Sequence, residues 1–372
     1  MTDGCSRFLS PNGRVAPPTM TDHTNPPGDP LGLHRVIPEQ GGVLPLPQRA
    51  TRVDNDAAKV FETEIVLDVA TLNVDAASFR QMEEASGNST DGVAELVRKT
   101  VRERGKQHNP VTGSGGMLLG KVARVGSLAG DRGFQVGDRV ATLASLSLTP
   151  LRVDRVLAVR PPSAQLDVEG WAAVFHSAPL GKMPSDMPER LALAILDVAG
   201  AAPQVARLAR PGESVLVIGG GGKSGLLCCA EARRRVGSEG RVIALETHAP
   251  FVADLRALGI CDHVIEADAR DAVLVRNEVR RVTNDRAVDL TLSCVNVAGC
   301  EMSAIAATKD RGRVYFFAMS TSFTAAALGA EGIGADVDLY IGNGYAHGHA
   351  DHSLDLVRAL PDLRAVLERR YA

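Results

Sequence analysis

A cluster of glycines in the second half of the chain has the spacing of a phosphate-binding turn. Glycines at 220, 222 and 225 satisfy the pattern GxGxxG, directly after the apolar run Ser214–Ile218 and before a helical pattern. These glycines permit a tight bend, close approach of the backbone to a diphosphate, and close packing of helix on strand. The helix start presents free N–H groups and a positive dipole end to phosphates. The predicted cofactor-binding residues of this turn are Gly220, Gly221, Gly222, Lys223, Ser224 and Gly225.

One acidic residue indicates which dinucleotide binds. Glu246 ends the next apolar run, at the distance from the glycines where a carboxylate binds the ribose hydroxyls. A carboxylate there repels a 2′-phosphate, so the sequence favours NAD; Lys223 could neutralise a phosphate, which leaves NADP as the less favoured alternative. The letters GKS resemble the end of an ATP-binding P-loop, but that pattern requires a glycine where Val217 stands.

Polar side chains also follow two later apolar runs. Asn296 and Glu301 follow the run 289–292, and Ser320 and Thr321 follow Arg313–Phe317. Ligands bind at the carboxyl edge of a parallel sheet, so we predict Asn296 and Thr321 at the cofactor and Ser320 at the substrate. Glu301 is either a catalytic residue or an ordinary first-turn helix glutamate. The two hydroxyls either bind ligand or cap their own loop.

The run GNGYAHGHAD concentrates polar side chains among glycines. It contains Asn343, Tyr345, His347, His349 and Asp351. The alternation of the histidines suggests a metal site, but strand-like spacing without a further ligand is more typical of a surface hairpin. We therefore favour Tyr345 or a neutral histidine as a proton relay, and we predict no metal.

Composition excludes several classes of protein. Hydrophobic residues make up 45% of the 372 residues and charged residues 23%, as in soluble globular proteins. The net charge of −3 and the 4% of aromatic residues argue against nucleic-acid binding. Six scattered cysteines form no disulfide framework and no zinc motif. Without an apolar run of membrane-spanning length or a secretory signal, we expect a cytoplasmic protein with no membrane partner.

The pattern of elements changes along the chain. Residues 1–30 are polar and rich in proline, which predicts a flexible extension. Residues 31–188 show short strands between glycine-rich turns and predict a β-rich domain. Residues 189–334 alternate apolar strands with helices, which predicts a doubly wound parallel sheet. We expect 335–372 to return to the β-rich domain and to end in one helix, Leu354–Tyr371.

Several motifs carry a family resemblance. FQVGDRVATL (Phe134–Leu143) resembles a turn and strand of the medium-chain dehydrogenase/reductase superfamily. LNVDAASF (Leu72–Phe79), CVNVAGCEM (Cys294–Met302) and IGNGYAHGHAD (Ile341–Asp351) are similar to the L-erythro-3,5-diaminohexanoate dehydrogenase family, and the likeness extends over about 31–372. It implies an α/β protein with a GroES-like catalytic domain, a Rossmann domain, and a homodimer.

The resemblance also implies a reaction. This is the NAD-dependent oxidative deamination of L-erythro-3,5-diaminohexanoate to 5-amino-3-oxohexanoate and ammonium, a step of lysine fermentation. Zinc-dependent members of the superfamily have cysteine and histidine ligands where this chain has LNVDAASF, so hydride transfer without a metal follows.

Hydride leaves C3 only when the amine is neutral, and a base must then activate the attacking water. By resemblance the loop with Asp75 and Ser78 faces the nicotinamide, and Asp75 is a base, an ammonium anchor, or simply a helix cap. The predicted catalytic residues are Asp75, Glu301 and Tyr345. The predicted substrate-binding residues are Ser78, Asn343, His347 and Ser320.

Two other functions remain open from the sequence. A quinone or enoyl reductase of the same superfamily would use NADPH and an apolar pocket, against which stand Glu246 and the polar set around Tyr345. A sensor that binds a dinucleotide without turnover has the same glycine turn, because fold alone does not decide function.

Overall fold

The computed structural model describes residues 25–38, 44–109 and 113–372. The chain forms two compact units, divided between Pro179 and Leu180. One sheet is antiparallel, and the other is parallel and accompanied by helices. The predicted fold class, a β-rich part followed by a doubly wound part, is confirmed.

The first sheet is antiparallel around one long central strand. Its strands are β1 (Glu64–Asn73), β2 (Met117–Val125), β3 (Arg139–Thr142), β4 (Leu151–Arg160), β5 (Gln165–Phe175) and β6 (Leu180–Lys182), in the order β4-β5-β1-β2-β3-β6. The first unit holds β1 to β5, and β6 follows the boundary. This unit also contains the helices α1 (Ala76–Ala85) and α2 (Thr90–Arg104) and the 3-10 helices Leu33–Arg35, Ser127–Arg132, Leu146–Leu148 and Pro161–Ser163. β1 pairs with both β2 and β5. Its side chains Ile65, Leu67 and Leu72 are fully buried and form part of the core.

The first described residues belong to this unit. The backbone N–H of Glu62 donates to the carbonyl of Pro26 at 3.1 Å. Arg35 is buried and donates through Nε and Nη2 to the two carboxylate oxygens of Glu64, each at 2.8 Å. The prediction of a flexible extension over 1–30 is wrong for its last six residues, because the carbonyls of Pro26 and Pro27 accept from the N–H groups of Glu62 and Thr63, just before β1. The preceding residues lie outside the described ranges.

The second sheet is parallel throughout. Its strands are β7 (Ser214–Ile218), β8 (Arg241–Glu246), β9 (His263–Glu266), β10 (Val288–Ser293), β11 (Thr308–Phe316) and β12 (Asp338–Ile341), in the order β12-β11-β10-β7-β8-β9. The helices of this unit are α3 (Glu189–Leu196), α4 (Ala201–Leu208), α5 (Lys223–Val236), α6 (Ala249–Leu258), α7 (Ala272–Val282), α8 (Glu301–Ala307), α9 (Phe323–Ile333), α10 (His349–Ala359) and α11 (Pro361–Tyr371). The strand order reverses between β7 and β10, which is the switch point where ligands bind in such sheets.

The C-terminal segment corrects a predicted boundary. The expectation that 335–372 returns to the first unit is wrong, because β12 pairs with β11 and α10 packs on α3, α4 and α5. The apolar side chains of Leu354 and Val357 on α10 are buried in these contacts. The single predicted final helix is two helices, since Leu360 leaves the helical conformation before Pro361, with φ −126° and ψ 84°, as the residue before a proline often does.

Among the described residues no single helix is long and apolar enough to cross a membrane. The bent pair α3 and α4 passes that test only when the two helices are joined. Most residues of this pair are buried within the second unit.

Candidate cofactor and substrate sites

The glycine turn adopts the geometry that the sequence predicts. Gly219 follows β7 with a φ of +75°, and α5 begins at Lys223. A Cβ on Gly225 would lie 2.1 Å from the carbonyl oxygen of Gly219, so only glycine lets the helix approach the strand this closely. A Cβ on Gly222 would meet its nearest atom at 3.7 Å, and no side chain caps α5, whose partly exposed second residue is Ser224. The helix start is therefore accessible to a phosphate group.

Glu246 is held beside this turn by backbone donors. Its Oε2 accepts from the N–H of Gly221 at 3.1 Å, and its Oε1 accepts from Thr247 at 2.8 Å and His248 at 3.1 Å. Three backbone hydrogen bonds fix the carboxylate at the end of β8, where the ribose of a dinucleotide lies in this fold.

A cleft of about 440 Å³ opens along the carboxyl ends of β7, β8, β9 and β10. Its walls include Gly219, Glu246, Asp268, Arg270 and Val295. The Arg270 guanidinium pairs with Asp268 at 2.5 Å and lowers the pKa of that carboxyl to about 2. The open glycine turn, the fixed acid and the elongated cleft together fit the adenosine and diphosphate portions of a dinucleotide.

Two contacts around the turn were not predicted from the sequence. Lys223 Nζ lies 2.5 Å from Asp197 Oδ2, at the end of α3. Arg370 on α11 donates through Nη1 to the carbonyl of Gly221 at 2.6 Å and forms an ion pair with Asp254. The C-terminal helix thus supports the glycine turn, a contact across 149 positions of sequence that no local pattern indicates.

Glu301 lies at the other half of the parallel sheet, and its side chain holds a neighbouring loop by a hydrogen bond. It is buried at the start of α8, and its Oε1 accepts from the backbone N–H of Ser322 at 2.7 Å. Ser320 Oγ lies 3.5 Å from the carbonyl of Val295, and Thr321 Oγ1 donates to its own loop at 2.9 Å. Glu301 therefore orients the loop after β11. Of the two alternatives for Thr321, binding a ligand or capping its own loop, the structure shows the capping hydrogen bond.

The loop 342–348 is organised by a glutamine from α4. Gln204 Nε2 donates to the carbonyl of Tyr345 at 2.8 Å and lies 3.5 Å from Asn343 Oδ1. Asn343 Oδ1 also accepts from the N–H of Tyr345 at 3.1 Å. The Tyr345 hydroxyl and His347 Nδ1 are 3.2 Å apart, a hydrogen-bonded pair of exposed groups through which a proton can pass.

The histidines of this loop do not form the predicted strand-like hairpin. His349 begins α10, is buried, and lies with its ring 5.1 Å from that of Tyr345. Burial lowers the pKa of His349, so it is neutral near pH 7. Within the described ranges no three His, Cys, Asp or Glu side chains are placed to hold a metal ion.

The first unit contains a separate polar cluster. Asp75 caps α1 through Oδ1, which accepts from the N–H of Ser78 at 2.9 Å, as the capping alternative predicts. Asn109 Nδ2 lies 2.7 Å from Ser78 Oγ and 2.9 Å from Gln81 Oε1. The other carboxylate oxygen of Asp75 is buried and has no hydrogen-bond partner among the described residues.

The predicted site residues thus fall into groups. Three groups are in the second unit: the glycine turn Gly220–Gly225 with Glu246; Glu301 with Ser320 and Thr321; and Asn343 with Tyr345 and His347. The fourth group is in the first unit and consists of Asp75 and Ser78. Asn296 is exposed after β10 and, within the described part of the chain, has no hydrogen bond to any of these groups. Sequence reasoning missed Asp197, Gln204, Asn109 and Arg370. Asp197 and Gln204 lie in DVAGAAPQV (Asp197–Val205), a further segment that is similar to the same family, and this similarity was the available signal.

The fold has solved counterparts. A mycobacterial protein in complex with NADPH matches with a TM-score of 0.55 and 18% identity, over 83% of this chain and 90% of its own. An alcohol dehydrogenase superfamily protein from Novosphingobium aromaticivorans matches with a TM-score of 0.50 and 19% identity, over 87% and 84%. These matches show the fold class of the chain, a β-rich part followed by a doubly wound parallel-sheet part.

Sequence relatives define the family. The model of the L-erythro-3,5-diaminohexanoate dehydrogenase N-terminal domain matches residues 34–184. Enzymes named L-erythro-3,5-diaminohexanoate dehydrogenase from Acetoanaerobium sticklandii and Fusobacterium nucleatum are 48% and 45% identical to this chain, over 91% of it and 98% of their own lengths. The chain belongs to the L-erythro-3,5-diaminohexanoate dehydrogenase family.

Proposed function

We propose that this protein catalyses the NAD-dependent oxidative deamination of L-erythro-3,5-diaminohexanoate to 5-amino-3-oxohexanoate and ammonium, without a metal, as a step of lysine fermentation. The observation that carries the proposal is the identity of 45–48% over nearly the full length of two dehydrogenases named for that substrate. The matched 341 residues make up 91% of the chain, so the likeness extends into both units.

The choice of NAD rests on Glu246. Its carboxylate is fixed at the ribose position by three backbone N–H groups and cannot swing away without losing them. A 2′-phosphate would bring like charges together there. Lys223, which could have compensated, is paired with Asp197. NAD, with two ribose hydroxyls to donate to the carboxylate, suits this site better than NADP.

The chemistry requires a hydride acceptor and a route for protons. The nicotinamide of bound NAD supplies the acceptor. We propose that the Tyr345 hydroxyl passes its own proton to His347 Nδ1 as it takes one from the C3 ammonium. The exposed His347 releases that proton to solvent, and the same relay then takes a proton from the water that attacks the iminium. Glu301 has a positioning role, because it holds the loop that carries Ser320 and Thr321.

The proposal also includes a homodimer. β12 is the edge strand of the parallel sheet, and its side chain Ile341 is 63% exposed. Leu328 and Ile333 on α9 are also exposed apolar side chains of this unit. An uncovered apolar edge favours pairing with a second copy. Light scattering should give twice the monomer mass, and Ile341→Lys should give the monomer; a monomeric wild type would contradict this.

The function is tested by comparing cofactors and substrates. Purified protein is supplied with NAD or NADP and with 3,5-diaminohexanoate, or with NADPH and a quinone or an enone. We expect turnover with NAD and the diamino acid. Turnover with NADPH and the enone or quinone would instead identify a reductase, and tight NAD binding without turnover of any substrate would identify a sensor.

A further inference from the structure

We propose that the first unit contains an ammonium-binding site formed by Asp75 Oδ2 and Gln107 Oε1, and that it binds the C5 ammonium group, the amine that does not react. This inference rests on the proposed function and adds to it the residues that select a diamino acid over a monoamino acid. Gln107 has no assigned role in the reaction described above.

The starting observation is a concentration of unsatisfied polar atoms. In the described part of the chain seven buried side-chain nitrogen or oxygen atoms have no hydrogen-bond partner, and Asp75 Oδ2, Gln107 Oε1 and His108 Nδ1 are three of them. A buried polar atom without a partner costs free energy, so a group of them near one loop needs a reason. A ligand that donates hydrogen bonds supplies one.

The two acceptors are on chain segments that pack together. A Cβ on Gly115 would lie 2.3 Å from the carbonyl oxygen of Gln107, and a Cβ on the following Gly116 would lie 2.8 Å from the Cα of Val74, the neighbour of Asp75. The pair Gly115–Gly116 therefore lies against both segments. Asn109, two residues after Gln107, bonds Ser78, whose N–H is bonded to Asp75.

The chemistry of these atoms selects the ligand. A carboxylate oxygen and an amide oxygen both accept hydrogen bonds, and a primary ammonium group is purely a donor with three N–H bonds. Gln107 is 3% exposed, so a hydrogen bond there is sheltered from water. Burial lowers the pKa of the adjacent His108, and the charges of Lys106 and Arg104 lower it further.

The same chemistry decides which amine binds. A carboxylate next to an ammonium group raises its pKa and holds its proton. Loss of hydride from C3 requires a neutral amine, so a site that stabilises the charged form would slow the reacting centre. The site suits the C5 amine, which stays charged throughout the reaction. Asp75 is then an anchor for substrate and not the general base.

The test combines substitutions in the proposed site with a substrate analogue that lacks the C5 amine. The specificity constant kcat/KM is measured for 3,5-diaminohexanoate and for 3-aminohexanoate, which lacks the C5 amine, in wild type, Asp75→Asn and Gln107→Met. Asparagine keeps the helix cap, and methionine keeps the side-chain volume. Thr63→Val is the matched control, because the Thr63 hydroxyl is another buried unpartnered atom of this unit outside the cluster.

We expect wild type to prefer the diamino acid by roughly 10- to 100-fold, the usual range for a hydrogen bond to a charged group. Asp75→Asn should remove most of that preference through a higher KM for the diamino acid, with little change for 3-aminohexanoate. Gln107→Met should reduce it by about 3- to 10-fold, and Thr63→Val should leave it unchanged.

Equal losses on both substrates, or an unchanged preference, would overturn the ammonium site while the proposed function stands. If wild type turns over neither compound, the proposed function fails. The site is then judged by calorimetric binding of the two compounds, where Asp75→Asn must abolish the difference in affinity for the inference to survive.

Discussion

The carboxylate of Glu246 is the single residue on which cofactor choice depends. Glu246→Gln removes the charge and keeps one of the two acceptor oxygens, so either the N–H of Gly221 or the N–H groups of Thr247 and His248 lose their acceptor. We expect NAD to bind roughly 10-fold more weakly, since a hydrogen bond to a charged group is lost, and the preference for NAD over NADP to shrink. Calorimetric titration with both cofactors measures this change.

The control for Glu246→Gln is the same substitution on the neighbouring strand β9. Glu266 pairs in register with Glu246 at the same sheet edge and is exposed, so Glu266→Gln should leave both affinities unchanged. If the ratio of NAD affinity to NADP affinity is the same in wild type and Glu246→Gln, another residue discriminates between the two cofactors.

Tyr345 is the residue that we expect to move protons. Tyr345→Phe removes the hydroxyl that bonds His347 and should lower kcat by about 10²- to 10⁴-fold with a small change in KM. Steady-state kinetics check this, with Tyr340→Phe as the control, because Tyr340 is on β12 and outside this loop. A Tyr345→Phe enzyme with wild-type kcat would transfer the role to another group.

At the scale of elements, the packing of α5 on β7 determines whether the turn can bind a diphosphate. Gly225→Ala places a methyl group against the Gly219 carbonyl, so helix and strand must separate. We expect a loss of about 1–3 kcal/mol in the free energy of unfolding, as for other overpacked sites, and at least a 10-fold loss of NAD affinity.

Gly332→Ala is the matched change in a helix. A Cβ there meets no atom within 4 Å, so it should stabilise α9 slightly, by up to about 1 kcal/mol, and leave NAD binding intact. Urea unfolding and calorimetry measure both effects. Undiminished NAD binding by Gly225→Ala would contradict the role given to the turn.

The elements also show what local sequence can predict. β7, the start of α5 and β8 follow from an apolar run, glycines and a distal acid, all within one continuous segment. Pro361 marks the break between α10 and α11 in the sequence, but the helical pattern continues on both sides of it and predicts one helix. The supporting contacts of Gln204 and Arg370 join residues more than a hundred positions apart, and the unpartnered oxygen of Asp75 depends on burial, so neither follows from residue spacing.

At the scale of the whole molecule, the buried Arg35–Glu64 pair joins the N-terminal segment to the first sheet. Burial raises the pKa of Glu64, but hydrogen bonds from Arg35 and His34 outweigh it, and the pKa is lowered below 4.5. A carboxyl with a lowered pKa in the folded state stabilises the protein above its unfolded pKa, and this contribution is lost as pH falls through the folded value.

Arg35→Met leaves the Glu64 carboxylate buried without its main partner. We expect a loss of about 3–5 kcal/mol in the free energy of unfolding at pH 7, and a smaller loss at pH values below about 4, where Glu64 can be protonated. Urea denaturation at both pH values measures the difference. A loss independent of pH would assign the effect to packing of the Arg35 side chain and not to the ion pair.

The central claim is the proposed activity, oxidative deamination with NAD. The most direct measurement is the molar ratio of NADH to ammonium formed when the purified protein acts on 3,5-diaminohexanoate and NAD. The account predicts one ammonium for each NADH throughout the time course. NADH without ammonium, or no product of either kind while NAD is bound, would contradict it.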